Sequence, residues 1–164
     1  MQAFSNIVRF VVCILLQMLL FNRLWLFGIC HPYVYILCLL ALPIQVPRWA
    51  EMLIGAATGL IMDCICSSPG VHMAACTLVA YLRPMMIKAL VQEPDRVVQD
   101  ISSAVIGKTE YLKLLVLLTL IHHTAVFMLD AWSLAAWWLT LIRIVCSSAL
   151  TILLLLAYDR LRYA

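Results

Sequence analysis

Charge is what this sequence has least of. Asp, Glu, Lys and Arg make up 12% of its 164 residues, about half the share in an ordinary soluble domain. The apolar fraction is 66% and the mean hydropathy +1.06. This balance excludes a soluble enzyme and implies an all-α integral membrane protein. Length excludes a second domain, because each spanning helix takes about 20 residues and five or six of them leave no room for a soluble core. The basic excess is small, net +3, and scattered, so there is no nucleic-acid patch. No small-residue cleavage site follows the first apolar run, which is expected to be a membrane helix and not a signal peptide. Internal repeats and low-complexity segments are absent.

Catalytic and metal motifs are missing as well. The seven cysteines are an odd number, and most fall in apolar runs, where free cysteine packs as a small hydrophobe. Cys64 and Cys66 are separated by one residue, not by the two to four of zinc knuckles, and no second pair completes a ligand set. No metal or other cofactor is expected. Ser67, Ser68, Cys64 and His72 are close in sequence, but there is no G-x-S-x-G elbow, and serines beside Pro69 read as turn residues. An intramembrane hydrolase is therefore the weakest reading, and the chain is not expected to be an enzyme. His122 and His123 point about 100° apart on a helix, and their i±4 neighbours Leu118, Thr119, Val126 and Phe127 offer no further ligand. The pair reads either as buried, hydrogen-bonded histidines or as part of a proton path.

What is present is a succession of apolar segments, at 7–27, 33–46, 50–66, 71–91, 111–129 and 134–157. They predict a six-helix transmembrane bundle in one domain, 1–164. Gly28 and Pro32 divide the first segment from the second, Pro43 and Pro47 stop the second, and Ser67 to Gly70 turn the third into the fourth. The second segment is short for a span, about 21 Å at 1.5 Å per residue. The one polar stretch, 92–110, is a loop in which 97–106 could form an amphipathic surface helix. Arg9, Arg48, Arg83, Lys88, Arg96, Lys108, Lys113, Arg160 and Arg162 fall at one face, with Arg23 alone at the other, which predicts cytoplasmic termini. Trp25, Trp49, Trp132, Trp137 and Trp138 lie mostly near segment ends, as interface anchors do.

Four polar positions stand at membrane depth besides one acid: Gln17, His122, His123 and Arg143. The acid, Asp63, is costly there, about 2.5–3.5 kcal/mol at a helix centre. It continues a stripe with Gly55 and Gly59, a G-x-x-x-G pattern that permits close helix approach, and the Pro69–Gly70 turn follows it. The stripe either seats the third helix in its own bundle or forms a contact face for a second membrane protein. Arg143 lies about 13 Å into the last helix, at a depth that predicts an Asp63–Arg143 pair.

The pattern HPYVYILCLLALPIQVPRW followed by GLIMDCICSSPGVHMAACTLVAYLRP resembles the rod shape-determining protein MreD family, in particular its Bacteroidota-like members. The residues that carry the resemblance are Gly59, Leu60, Asp63, Ser67, Pro69, Gly70, Ala74, Ala75, Ala80, Tyr81, Leu82 and Arg83, with His122 and His123 in the fifth helix. The resemblance is strong over 33–84, fair through the last two helices and weak in the polar loop. Ser67–Ser68 stand where many members carry Ser-Gly. It implies a fold similar to the S-components of energy-coupling-factor transporters. The implied function is that of a non-enzymatic part of the inner-membrane cell-elongation machinery, which couples MreB filaments to peptidoglycan synthesis. The implied partners are MreC directly and, more widely, RodA, a class B penicillin-binding transpeptidase and MreB. The alternative is an S-component-like vitamin transporter module, which would need a polar pocket open to the outside and a small-residue pair on helix one. That helix, IVRFVVCILLQMLLF, has no such pair.

Overall fold

The computed structural model describes residues 2–24, 28–92, 101–131 and 137–163. Among these, the helices in order are α1 (Gln2–Leu19), α2 (Leu37–Leu40), α3 (Arg48–Cys66), α4 (Val71–Leu90), α5 (Ser103–Ile106), α6 (Lys108–Asp130) and α7 (Trp137–Tyr163). Single 3-10 turns lie at Phe21–Arg23 and Val34–Ile36, and no strand occurs among the described residues. Four helices, α3, α4, α6 and α7, are long and apolar enough to cross a membrane. The chain is thus a multi-pass membrane protein. Its outward faces are apolar, with Leu53, Leu60 and Leu153 more than half exposed, the arrangement that lipid favours and water penalises.

The long helices pack in sequence, α3 on α4, α4 on α6 and α6 on α7. The first pair is fixed by its small residues. A Cβ on Gly59 would lie 2.3 Å from Met73 Cα and 2.4 Å from the His72 carbonyl oxygen, and one on Gly55 would lie 2.8 Å from the Cys76 carbonyl oxygen. Glycine at both positions lets the two backbones touch. The turn between the helices uses left-handed conformations at Ser67 (φ 56°) and Gly70 (φ 82°). At Ser67 that conformation is costly for a side chain, so Ser67→Gly is expected to raise the midpoint of thermal unfolding, by up to about 1 kcal/mol in stability.

The bundle has two recognisable ends. At one, the turn end, lie residues 67–70, His31 and Asp130; at the other, Arg9 of α1 and Arg162 of α7 line one cavity. The N-terminal half of α1 and the end of α7 are therefore at the same end. There the Ser103 backbone N–H (3.3 Å) and hydroxyl donate to the Asp159 carboxylate, which ties the start of α5 to α7.

Several expected boundaries shift. The first helix ends at Leu19, α6 starts at Lys108 inside the expected loop, and α7 runs to Tyr163. Of the expected surface helix only Ser103–Ile106 is helical, and 97–100 lie outside the described residues, as do Trp25, Arg96 and Trp132. The largest correction concerns 33–46, which is not a helix across its length. It is one 3-10 turn and one α turn, followed by bends. Pro32, Pro43 and Pro47 deny the segment amide donors at both ends and restrict the residues before them. Yet Val34 to Ala41 are all buried, with Tyr35, Ile36 and Leu39 at 0% exposure. The centre of the bundle is a broken segment.

Candidate functional site

Irregular backbone at membrane depth is tolerated only where protein satisfies its polar groups. Here the polar side chains of three helices do so. At the turn end, Gln17 of α1 accepts from Val34 N–H (2.8 Å) and donates to the Pro32 carbonyl (3.1 Å). Ser147 and Thr151 of α7 accept from the backbone N–H groups of His31 (2.9 Å) and Tyr33 (3.1 Å). At the opposite end, Arg83 of α4 donates to the carbonyls of Leu42 and Leu40 and forms an ion pair with Glu51 of α3. Arg83 and Glu51 are 0% and 1% exposed. Glu51 carries no signal in the sequence that marks it as a partner, and Arg83, expected at one membrane face, is instead buried inside the bundle.

Asp63 has a second structural task. Its carboxylate accepts from the N–H groups of His72 and Met73 (both 2.9 Å) and from the Ser68 hydroxyl (2.5 Å). These amides belong to the first turn of α4, where helix donors have no internal partner and a negative charge is favoured. Asp63 is therefore the N-terminal cap of α4, supplied from α3. The expected Asp63–Arg143 pair is corrected: both carboxylate oxygens are engaged across the hairpin, and no ion pair joins the two residues. Asp63→Ala is expected to lower stability by about 2 kcal/mol or more, as buried donors are left unpaired. Asp63→Asn, which keeps an acceptor, should lose less in the same thermal unfolding measurement.

Between these two clasps lies a cluster of rings. The Tyr35 hydroxyl is 2.8 Å from His72 Nδ1 and 2.7 Å from His122 Nε2. The rings of His72, His122, His123 and Phe127 surround that of Tyr33 at centroid distances of 5.2–6.0 Å. His123 is held separately: its Nδ1 lies 2.9 Å from the Thr119 carbonyl and its Nε2 3.1 Å from the Thr151 hydroxyl. The adjacent histidines thus serve two different networks. Tyr35 and His72, which complete the first, carry no local signal that links them to His122.

A cavity of about 330 Å³ opens at the turn end. Asn22, His31, Cys66 and Ser68 form its polar rim, Ile65, Val71 and Val126 its apolar walls, and Tyr33, His72 and Asp130 the remainder. Burial is the first cause that holds the His31 imidazole below its ordinary pKa; the Arg143 charge adds to it and Asp130 opposes it. Arg143 thus bears on His31 of this cavity and not on Asp63. No group of three or more His, Cys, Asp and Glu side chains is placed to hold a metal ion among the described residues. Gly55 and Gly59 lie against α4, and Pro69 and Gly70 form the exposed turn. Comparison with family models, with curated proteins and with solved structures finds no match to this chain.

Proposed function

We propose that this chain is a non-enzymatic inner-membrane component of a cell-elongation complex, of the MreD type. One observation supports the reading above others: the residues of the resemblance are the working parts of the α3–α4 hairpin. Gly59 sets the helix contact, Asp63 caps α4, Ser67 and Gly70 adopt the left-handed turn, and Arg83 clamps the broken segment. A rigid hairpin of this kind suits a scaffold, whose task is to present a fixed surface. Arg9, Arg48, Lys88, Lys108, Arg160 and Arg162 favour a cytoplasmic termini end and an exterior turn end. Arg23 and Arg143 are the basic residues near the latter. A six-crossing bundle follows if α1 and the broken segment each traverse the bilayer, and this is the topology of the S-component-like fold.

In this reading MreC binds through its single span, and RodA, the transpeptidase and MreB join in the wider assembly. Gly55 and Gly59 are occupied by α4, so the partner face lies on the outward apolar surface. Co-expression with MreC, followed by affinity purification of this chain from membranes, should retain MreC through size exclusion. A folded chain that elutes free of MreC contradicts the proposal. A second reading, the S-component-like transport module, is favoured by the polar cavity at the turn end, and a vitamin that co-purifies with the chain would support it.

A further inference from the structure

The cavity at the turn end has a chemistry that neither packing nor helix capping requires. Tyr35 has one hydroxyl proton and two imidazole neighbours, so it can donate to only one of them, and every group is satisfied when the other imidazole donates to it. His122 Nδ1 is buried without a partner. If Tyr35 donated to His122 Nε2, a neutral His122 would carry its only proton on that orphan nitrogen. A buried N–H without an acceptor is rarer and costlier than an idle lone pair. The favoured arrangement runs the other way: His122 Nε2–H donates to Tyr35, and Tyr35 O–H donates to His72 Nδ1. His72 then keeps its proton on Nε2, which has no partner among the described residues and belongs to a residue of the cavity wall. The buried network thus fixes His72 as a donor toward the cavity.

Two more groups complete the pattern. The Tyr33 hydroxyl, also in the wall, has no partner among the described residues and can donate. Asp130 lines the same cavity from the C-terminus of α6, where the helix dipole disfavours an acid. It is exposed and forms no ion pair among the described residues, so neither helix stability nor a salt bridge within them explains it. Donors on the buried His72 and half-buried Tyr33 and an exposed carboxylate, all lining one cavity, match a ligand with an anionic and a cationic end.

We propose that this cavity binds a small zwitterion, an α-amino acid, with its carboxylate on His72 Nε2–H and the Tyr33 hydroxyl and its ammonium on Asp130. Its volume is at the small end for ligand sites, which excludes large cofactors and suits a compact ligand. Ile65, Val71 and Val126 would border the side chain. The site does not depend on the scaffold reading: amino-acid binding and MreC retention are separate measurements, and either can fail alone.

The test uses the purified full chain in lipid nanodiscs. Free L- and D-α-amino acids at millimolar concentration are screened by thermal shift, and any hit is titrated by calorimetry. At least one should stabilise the protein, and its methyl ester and its deaminated analogue should each bind about tenfold more weakly or worse. Asp130→Asn, at an exposed position, should weaken binding by about tenfold without lowering the unfolding midpoint of the free protein. Tyr33→Phe, which removes only the hydroxyl, should weaken it severalfold. No stabilisation by any amino acid overturns the proposal. So does a hit whose ester or deaminated analogue binds equally well, or one that neither substitution affects.

Discussion

Replacement of Arg83 by leucine is expected to cost about 3–5 kcal/mol of stability, the range for breaking a buried ion pair by removal of one partner. Two losses combine. Glu51 would keep a buried charge with no cation beside it, and the carbonyls of Leu40 and Leu42 would lose their donor. The double variant Glu51→Gln/Arg83→Met should recover part of the loss, since the stranded charge is gone while the carbonyls remain uncapped. Thermal unfolding of the two variants and the parent in one detergent measures this. If the double variant is no better than Arg83→Leu, the stranded charge is not the main cost.

Gly59→Ala is expected to be nearly as damaging, although it adds a single methyl group. The new Cβ meets backbone, Met73 Cα at 2.3 Å and the His72 carbonyl at 2.4 Å, and backbone cannot rotate aside as a side chain can. The helices must separate, at about 3 kcal/mol, the upper part of the range for overpacking. Gly55→Ala should cost less, because its contacts begin at 2.8 Å and include the Ala80 side chain. Equal loss at the two positions would mean that the hairpin yields uniformly and that Gly59 is not its point of closest approach. Because the strain at Gly59 falls on His72, it should also disturb the hydrogen bond to Tyr35.

The α3–α4 hairpin was legible in the sequence because its determinants are local. A glycine every four residues, one acid and a Ser-Ser-Pro-Gly turn fall within a single stretch, and each has a direct physical meaning. The broken segment was not legible, since an apolar run bounded by prolines reads equally well as a short helix. What distinguishes it are caps from far along the chain: Gln17, Arg83, Ser147 and Thr151, the last 118 residues from its partner Tyr33. Matching Asp63 to Arg143 by depth failed for a related reason. Depth is computed along one helix, whereas the nearest donors to Asp63 were backbone amides across the turn. Of the ring cluster, the His122–His123 pair was visible, but Tyr35 and His72 reach His122 only through the fold.

The central claim is that the buried polar side chains hold residues 31–42 as irregular backbone inside the bundle. Hydrogen–deuterium exchange of that segment in the parent and in Gln17→Leu tests it most directly. Gln17 bonds both the Val34 N–H and the Pro32 carbonyl, so its loss should open the segment locally. The account predicts slow exchange over 31–42 in the parent and faster exchange confined to that segment in the variant, with α4 and α6 unchanged. Exchange over 31–42 that is already rapid in the parent, or that does not respond to Gln17→Leu, would contradict it.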